Sequence, residues 1–151
     1  MALRDQFTDS LKTAMKAGDQ PRVSTLRMIA ARLKDVDIAA RPKGIDKVGD
    51  DEVIGMLRGM VKSRTESAGM YRQGGRPELA EKEEAEIAVI EGFLPKAMDE
   101  AALAEAVDQA IAATGAASAR DMGKVMAELK SRHGAALDMA RASPLVKSKL
   151  A

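Results

Sequence analysis

The chain has 151 residues, no cysteine, no tryptophan, one histidine and a formal net charge of +1. The lack of cysteine excludes disulfides, thiolate nucleophiles and zinc ribbons. An aromatic content of 2% argues against a nucleic-acid reader built on stacked bases. No apolar run reaches the roughly 20 residues that a membrane-spanning helix needs, and no signal peptide is visible. We therefore expect a soluble cytoplasmic protein with no membrane association, no metal and no cofactor.

The charges are unevenly distributed along the chain. Residues 1–76 carry 15 Lys/Arg against 10 Asp/Glu, residues 77–108 carry 2 against 10, and residues 109–151 carry 7 against 3. The acidic segment either neutralises the basic ones within the molecule or forms a surface with a different partner. Solvated helix faces are the simplest interpretation of this pattern.

Apolar residues recur at three- and four-residue spacing, which predicts an all-α protein. The first predicted helix carries a stripe from Leu3 to Met15 and ends at Gly18. The second starts at Pro21 and ends before Pro42, and the third starts at Asp50. The fourth starts at Pro77, after a glycine turn, and should form an antiparallel hairpin with the third.

Pro95 predicts a domain boundary, because proline cannot continue the preceding helix. We expect a four-helix N-terminal subdomain over 1–94 and a three-helix C-terminal subdomain over 95–151, with the first proteolytic cuts near 95–99. The C-terminal helices are predicted to start at Asp99, at Ser118 through a capping box, and at Ser143–Pro144. The last of these should cover Leu145 to Leu150, with Leu145, Val146 and Leu150 inward.

Few residues suggest catalysis, since no nucleotide-binding loop, zinc-protease motif or nucleophile elbow is present. His133 is interpreted as a packed imidazole, and the glutamates from Glu78 to Glu91 as a solvated face. Arg64 and Glu83 each lie within an apolar stripe, and a charge there is costly unless paired. We expect these two to form a structural ion pair, with support from the Tyr71 hydroxyl. An anion-binding role for Arg64 is the alternative.

Two basic features remain for partner binding. Arg27, Lys34 and Arg41 recur every seven residues along the second helix. In the C-terminal subdomain, Arg120 and Lys124 should share a solvent face. The candidate RNA-binding residues are Arg120, Lys124, Lys130, Lys147 and Lys149. Cations on helix surfaces suit phosphate contacts, although simple solvation remains an alternative.

Several motifs together resemble the YqeY protein family over the whole chain. They are Val61-Lys62-Ser63-Arg64, the Tyr71–Arg76 turn, Lys82-Glu83, Phe93-Leu94-Pro95, Thr114-Gly115-Ala116 and, most specifically, Asp121-Met122-Gly123-Lys124-Val125-Met126. The family comprises small stand-alone bacterial relatives of the tail domain of GatB, the B subunit of glutamine-dependent Asp/Glu-tRNA amidotransferase. The chain departs from the family over 130–138, where a shorter Gly/Lys-rich linker is more common.

The resemblance implies two joined helical subdomains and contact with the tRNA elbow. It also carries the label of carbon–nitrogen ligase with glutamine as amido-N-donor, which no residue of this chain supports. We therefore expect a non-catalytic, GatB-tail-like module that binds tRNA or docks on a tRNA-dependent amidotransferase or aminoacyl-tRNA synthetase. The alternative is a cytoplasmic protein-interaction module without RNA binding. An enzyme active on its own is the least favoured hypothesis.

Overall fold

A computed structural model describes residues 1–96 and 98–151, and over these residues the chain forms seven α-helices and no strand. This confirms the predicted all-α class. The helices are α1 Leu3–Ala17, α2 Gln20–Ala40, α3 Asp50–Gln73, α4 Pro77–Glu91, α5 Glu100–Thr114, α6 Met122–His133 and α7 Met139–Leu150. No described helix is long and apolar enough to cross a bilayer. Ala97, within the segment where we expect proteolysis, lies outside the described residues.

The chain divides into two compact units, Met1–Leu94 and Pro95–Ala151. The N-terminal unit contains α1 to α4, and its core includes the fully buried side chains of Ile29, Leu57 and Ile90. The hairpin of α3 and α4 is the most extensive helix pairing in this unit. Its turn requires glycine at Gly75, where φ is +73°.

Arg4 and Asp37 join α1, α2 and the connection to α3. The Arg4 guanidinium donates two 3.1 Å hydrogen bonds to the Asp37 carboxylate and one of 2.8 Å to the Val48 carbonyl. The Val48 N–H donates to Asp37 Oδ1 at 2.9 Å. Hydrogen bonds from Arg4 and then from Val48 lower the pKa of Asp37. The carboxylate thus fixes the exit of α2 as well as the start of α1.

The C-terminal unit is a three-helix bundle with its own core, which includes Val107, Leu129, Leu137 and Val146. Arg141 donates to the Met98 carbonyl just before α5, at 2.8 Å. Eight residues further along α7, Lys149 donates to Asp108 at 2.5 Å, eight residues beyond the start of α5. These two contacts indicate that α5 and α7 run parallel. The short connections make α6 antiparallel to both.

Two predicted helix starts in this unit are wrong. The last helix begins at Met139 rather than at Pro144, and the Asp138 carboxylate caps it by accepting from the Ala140 N–H at 3.0 Å. Pro144 lies inside α7, where its exposed ring removes one helical hydrogen bond while Ala142 and Val146 on either side are fully buried. Burial of this apolar stripe therefore outweighs the cost of the proline.

The helix predicted from Ser118 also starts later. A 3₁₀ turn covers Ala119–Asp121, and α6 begins at Met122. Ser118 makes no side-chain cap. Instead, the Ala117 N–H donates to Asp121 Oδ2 at 3.0 Å. This hydrogen bond ties the backbone just before the 3₁₀ turn to the last residue of the turn.

Candidate functional site

Arg64 pairs with Glu86, not with Glu83. Arg64 Nε lies 3.0 Å from Glu86 Oε2, and the two side chains are only 15% and 14% exposed. The prediction of Glu83 as the partner is wrong. It was based on the position of Glu83 within the apolar stripe of α4 and not on which residues of the two helices lie at equal distances from the turn. Arg64 lies ten residues before Gly74 and Glu86 lies eleven after Gly75, so the turn places them opposite each other.

The rest of the Arg64 guanidinium is also engaged within the N-terminal unit. Nη1 donates to the Met60 carbonyl at 3.3 Å, and Nη2 lies 3.6 Å from Met28 Sδ. Tyr71, expected to support the pair, supplies none of these contacts. Because each guanidinium nitrogen already has a partner within the protein, the geometry favours a structural role for Arg64 over the anion-binding alternative.

Two of the acidic residues of α4 form ion pairs on the surface. Glu84 accepts from Arg72 at 3.0 and 2.5 Å, and Glu78 lies 3.6 Å from Arg76. Across the described parts of the chain, no group of three His, Asp or Glu side chains is gathered for a metal ion. Exposed pairs of this kind contribute about 1 kcal/mol or less.

The bundle topology brings the candidate cations Arg120, Lys124 and Lys147 to one end of the C-terminal unit. Arg120 is in the turn before α6, Lys124 is in its first turn, and Lys147 is in the last turn of α7. Because α6 and α7 are antiparallel, the start of one lies beside the end of the other. All three side chains are exposed. We call this set the basic end.

The other two predicted RNA-binding residues lie elsewhere. Lys149 is about 160° around α7 from Lys147 and pairs with Asp108 on α5. Lys130 is six residues from Lys124, or about 9 Å along α6, and points about 120° away from it. Arg120, in turn, is not on the α6 helix face with Lys124, since α6 begins two residues after it. The five residues therefore do not form one surface.

Asp121 and Gly123 occupy the backbone between the cations of the basic end. Hydrogen bonding from the Ala117 N–H is the main cause that lowers the pKa of Asp121. Its carboxylate is consequently charged and lies near Lys124. Gly123 is exposed, and a Cβ added there would meet nothing within 4 Å. No neighbouring helix in the described structure explains the glycine, which leaves its surface open to a ligand.

Asp108 is a partner that the residue pattern missed, whereas His133 was predicted to pack. His133 is partly buried, and its Nε2 is a buried nitrogen without a hydrogen-bond partner in the described structure. Asp108 neutralises Lys149 from 41 positions away. Helical periodicity does not predict the contact between Asp108 and Lys149, because this contact depends on how α5 and α7 are aligned.

Comparison with known proteins identifies a family and relatives that match most of the chain. The family model described as Yqey-like protein matches residues 4–150. The chain is 32% identical over 125 residues to "Altered inheritance of mitochondria protein 41, mitochondrial" of Eremothecium gossypii, covering 83% of this chain and 60% of that protein. It is 29% identical over 127 residues to the protein of the same name in Pyrenophora tritici-repentis, covering 81% and 68%. The matched stretch thus spans about three fifths to two thirds of these relatives.

Proposed function

The chain belongs to the Yqey-like protein family, and on that premise we propose that it is a non-catalytic module that binds tRNA through the phosphate backbone. The proposed surface is the basic end, Arg120, Lys124 and Lys147. A non-catalytic role agrees with the lack of a nucleotide-binding loop, a zinc-protease motif and a nucleophile elbow in the sequence. The cytoplasmic location remains a prediction, and the names of the fungal relatives describe those proteins as mitochondrial.

The observation that carries this proposal is the convergence of three exposed cations from separate segments at one end of the bundle. None of the three forms a salt bridge among the described residues. Phosphate groups attract such cations without any need for base contacts, which suits a chain with few aromatic side chains. The resemblance to the GatB tail domain supports tRNA as the nucleic acid.

The test is a titration of the full chain with bulk tRNA at several salt concentrations. Replacement of Arg120 and Lys124 by glutamate should weaken binding at least tenfold and reduce the slope of log affinity against log salt by about 0.7–0.9 per lost contact. Both side chains are exposed, so thermal unfolding should remain within a few degrees of the wild type.

The matched control is R27E/K34E, a double charge reversal on an exposed face of the other unit. It should leave the affinity and the salt slope close to wild type. If this control loses binding while R120E/K124E retains it, the RNA surface is on α2 and the basic end is excluded. If the wild type binds no tRNA at physiological salt, the alternative of a protein-interaction module, including one that docks on an amidotransferase or synthetase, replaces this proposal.

A further inference from the structure

The outward face of α2 carries a second regular stripe in addition to its buried one. Arg27, Ala31, Lys34 and Ile38 follow one another at alternating four- and three-residue spacing, Arg41 in the 3₁₀ turn directly after α2 continues the pattern, and all five are exposed. Ile38 retains 44% of its accessible surface. The spacing is that of a helix contact seam, although these residues face away from the core of their own unit.

The cations of this stripe form no intramolecular salt bridge in the part of the chain that the structure describes. Arg27, Lys34 and Arg41 form no salt bridge among the described residues, whereas Arg4, Arg64 and Arg72 of the same unit each pair with an acid. Ala31 lies between Arg27 and Lys34 and leaves room for a close approach. The face therefore combines unneutralised positive charge with small and apolar side chains.

The outward face of α4 has the complementary pattern. Glu84, Ala88 and Glu91 are exposed and repeat the spacing of Arg27, Ala31 and Lys34, with the opposite charge. In each helix the two charges are seven residues apart, or about 10.5 Å, and an alanine occupies the fourth position after the first charge. Glu84 retains 48% exposure although it also pairs with Arg72.

We propose that the α2 stripe binds the α4 stripe of a second copy of this chain. The paired alanines allow the two helix axes to approach to about 8–10 Å, while each glutamate lies opposite a cation. Ile38 extends the apolar contact beyond the alanines. A nucleic acid is the less favoured occupant, because phosphates gain nothing from the exposed isoleucine between the cations.

Sedimentation equilibrium of the full chain measures this association directly. At low salt, the mass should rise above that of a monomer with a dissociation constant of about 10 µM to 1 mM, and high salt should weaken the association. The variants R27E/K34E and E84K/E91K should each remain monomeric, because each carries the same charge on both stripes. An equimolar mixture of the two variants should associate again, since the α2 stripe of each variant then faces an α4 stripe of opposite charge on the other.

R120E/K124E is the matched control and should associate like the wild type. Because α4 loses the Glu84–Arg72 pair in E84K/E91K, E91K alone is measured as well and should weaken association at least threefold. A monomeric wild type at about 1 mM and low salt, or a mixture that stays monomeric, would overturn the proposal. If the wild type is monomeric and R27E/K34E loses tRNA binding, the stripe is a nucleic-acid surface. These results are independent of whether the basic end binds tRNA.

Discussion

Arg64 Nε donates to Glu86 Oε2 at 3.0 Å across the α3–α4 hairpin, with both side chains about six-sevenths buried. The exposed Arg72–Glu84 pair joins the same two helices closer to the turn, and the two remaining nitrogens of Arg64 donate to Met60 and Met28. A pair of this kind helps to fix the register of the hairpin, because sliding one helix along the other would separate Arg64 from Glu86 at a poorly hydrated site.

Glu86→Gln should lower the free energy of unfolding by about 1–3 kcal/mol, because it weakens a charged hydrogen bond in a partly buried site. Glu83→Gln on the same helix is the control and should change it by less than about 0.5 kcal/mol. Urea unfolding provides both values. In double-mutant cycles with Arg64→Met, Glu86 should couple to Arg64 by more than 0.5 kcal/mol. Stronger coupling to Glu83 would contradict the observed pairing.

Asp37 should make stability depend on pH in the acid range. Hydrogen bonds from Arg4 and Val48 hold its pKa below the ordinary value of about 3.9, so folding favours the charged carboxylate. The stabilisation is therefore complete above about pH 5 and is lost as the pH falls through the folded-state pKa. Thermal unfolding from pH 6 to 2 should show a smaller decline in D37N than in wild type. Asp35→Asn, at an exposed neighbouring position, should preserve the wild-type decline.

Pro144→Ala should stabilise the chain by about 1–3 kcal/mol, because it restores an N–H donor inside α7 and removes the clash of the ring with the preceding turn. Pro21→Ala is the control at the first turn of α2, where proline is well tolerated. That variant should be neutral or slightly destabilising. A loss of stability in P144A, measured by urea unfolding, would show that the proline is accommodated without cost.

Gly123→Ala should separate stability from binding. The added methyl group meets open space, so the variant should gain up to about 1 kcal/mol in stability. If a tRNA phosphate approaches the bare backbone at the basic end, the same methyl group should weaken tRNA affinity severalfold. Gly59→Ala, exposed and equally unobstructed in α3, should stabilise without changing the affinity. Equal affinities of the two variants would place the RNA away from Gly123.

Limited trypsin digestion should cut first after Lys96, at the start of the C-terminal unit. Lys96 is exposed, whereas the helices on either side are held by their own cores. Mass spectrometry of early time points identifies the cut, and Lys96→Gln should delay it. First cuts within 53–72 or 118–133 would contradict the predicted boundary.

The 3.6-residue spacing of apolar side chains predicts the all-α class and most of the inward stripes, but Met15, assigned to the stripe of the first helix, is 53% exposed. These features depend on interactions within one helix, where the 3.6-residue period decides which side chains share a face. Local chemistry was less decisive at helix starts. Asp138 caps the start of α7 at Met139, well before Ser143–Pro144, because burial of Ala142 and Val146 outweighs the cost of an internal proline.

Which charges meet depends on how the helices pack against each other, and the helical period does not specify that. Glu83 and Glu86 are three residues apart and both lie on the inner half of α4. The turn at Gly75 sets how the two helices are aligned along their axes, and this alignment places Glu86 opposite Arg64. The parallel alignment of α5 and α7 likewise neutralises Lys149 with Asp108, while Lys147 stays exposed at the basic end. A helical pattern specifies direction around an axis, whereas an ion pair also requires the axial offset between two helices, and packing of the whole unit fixes that offset.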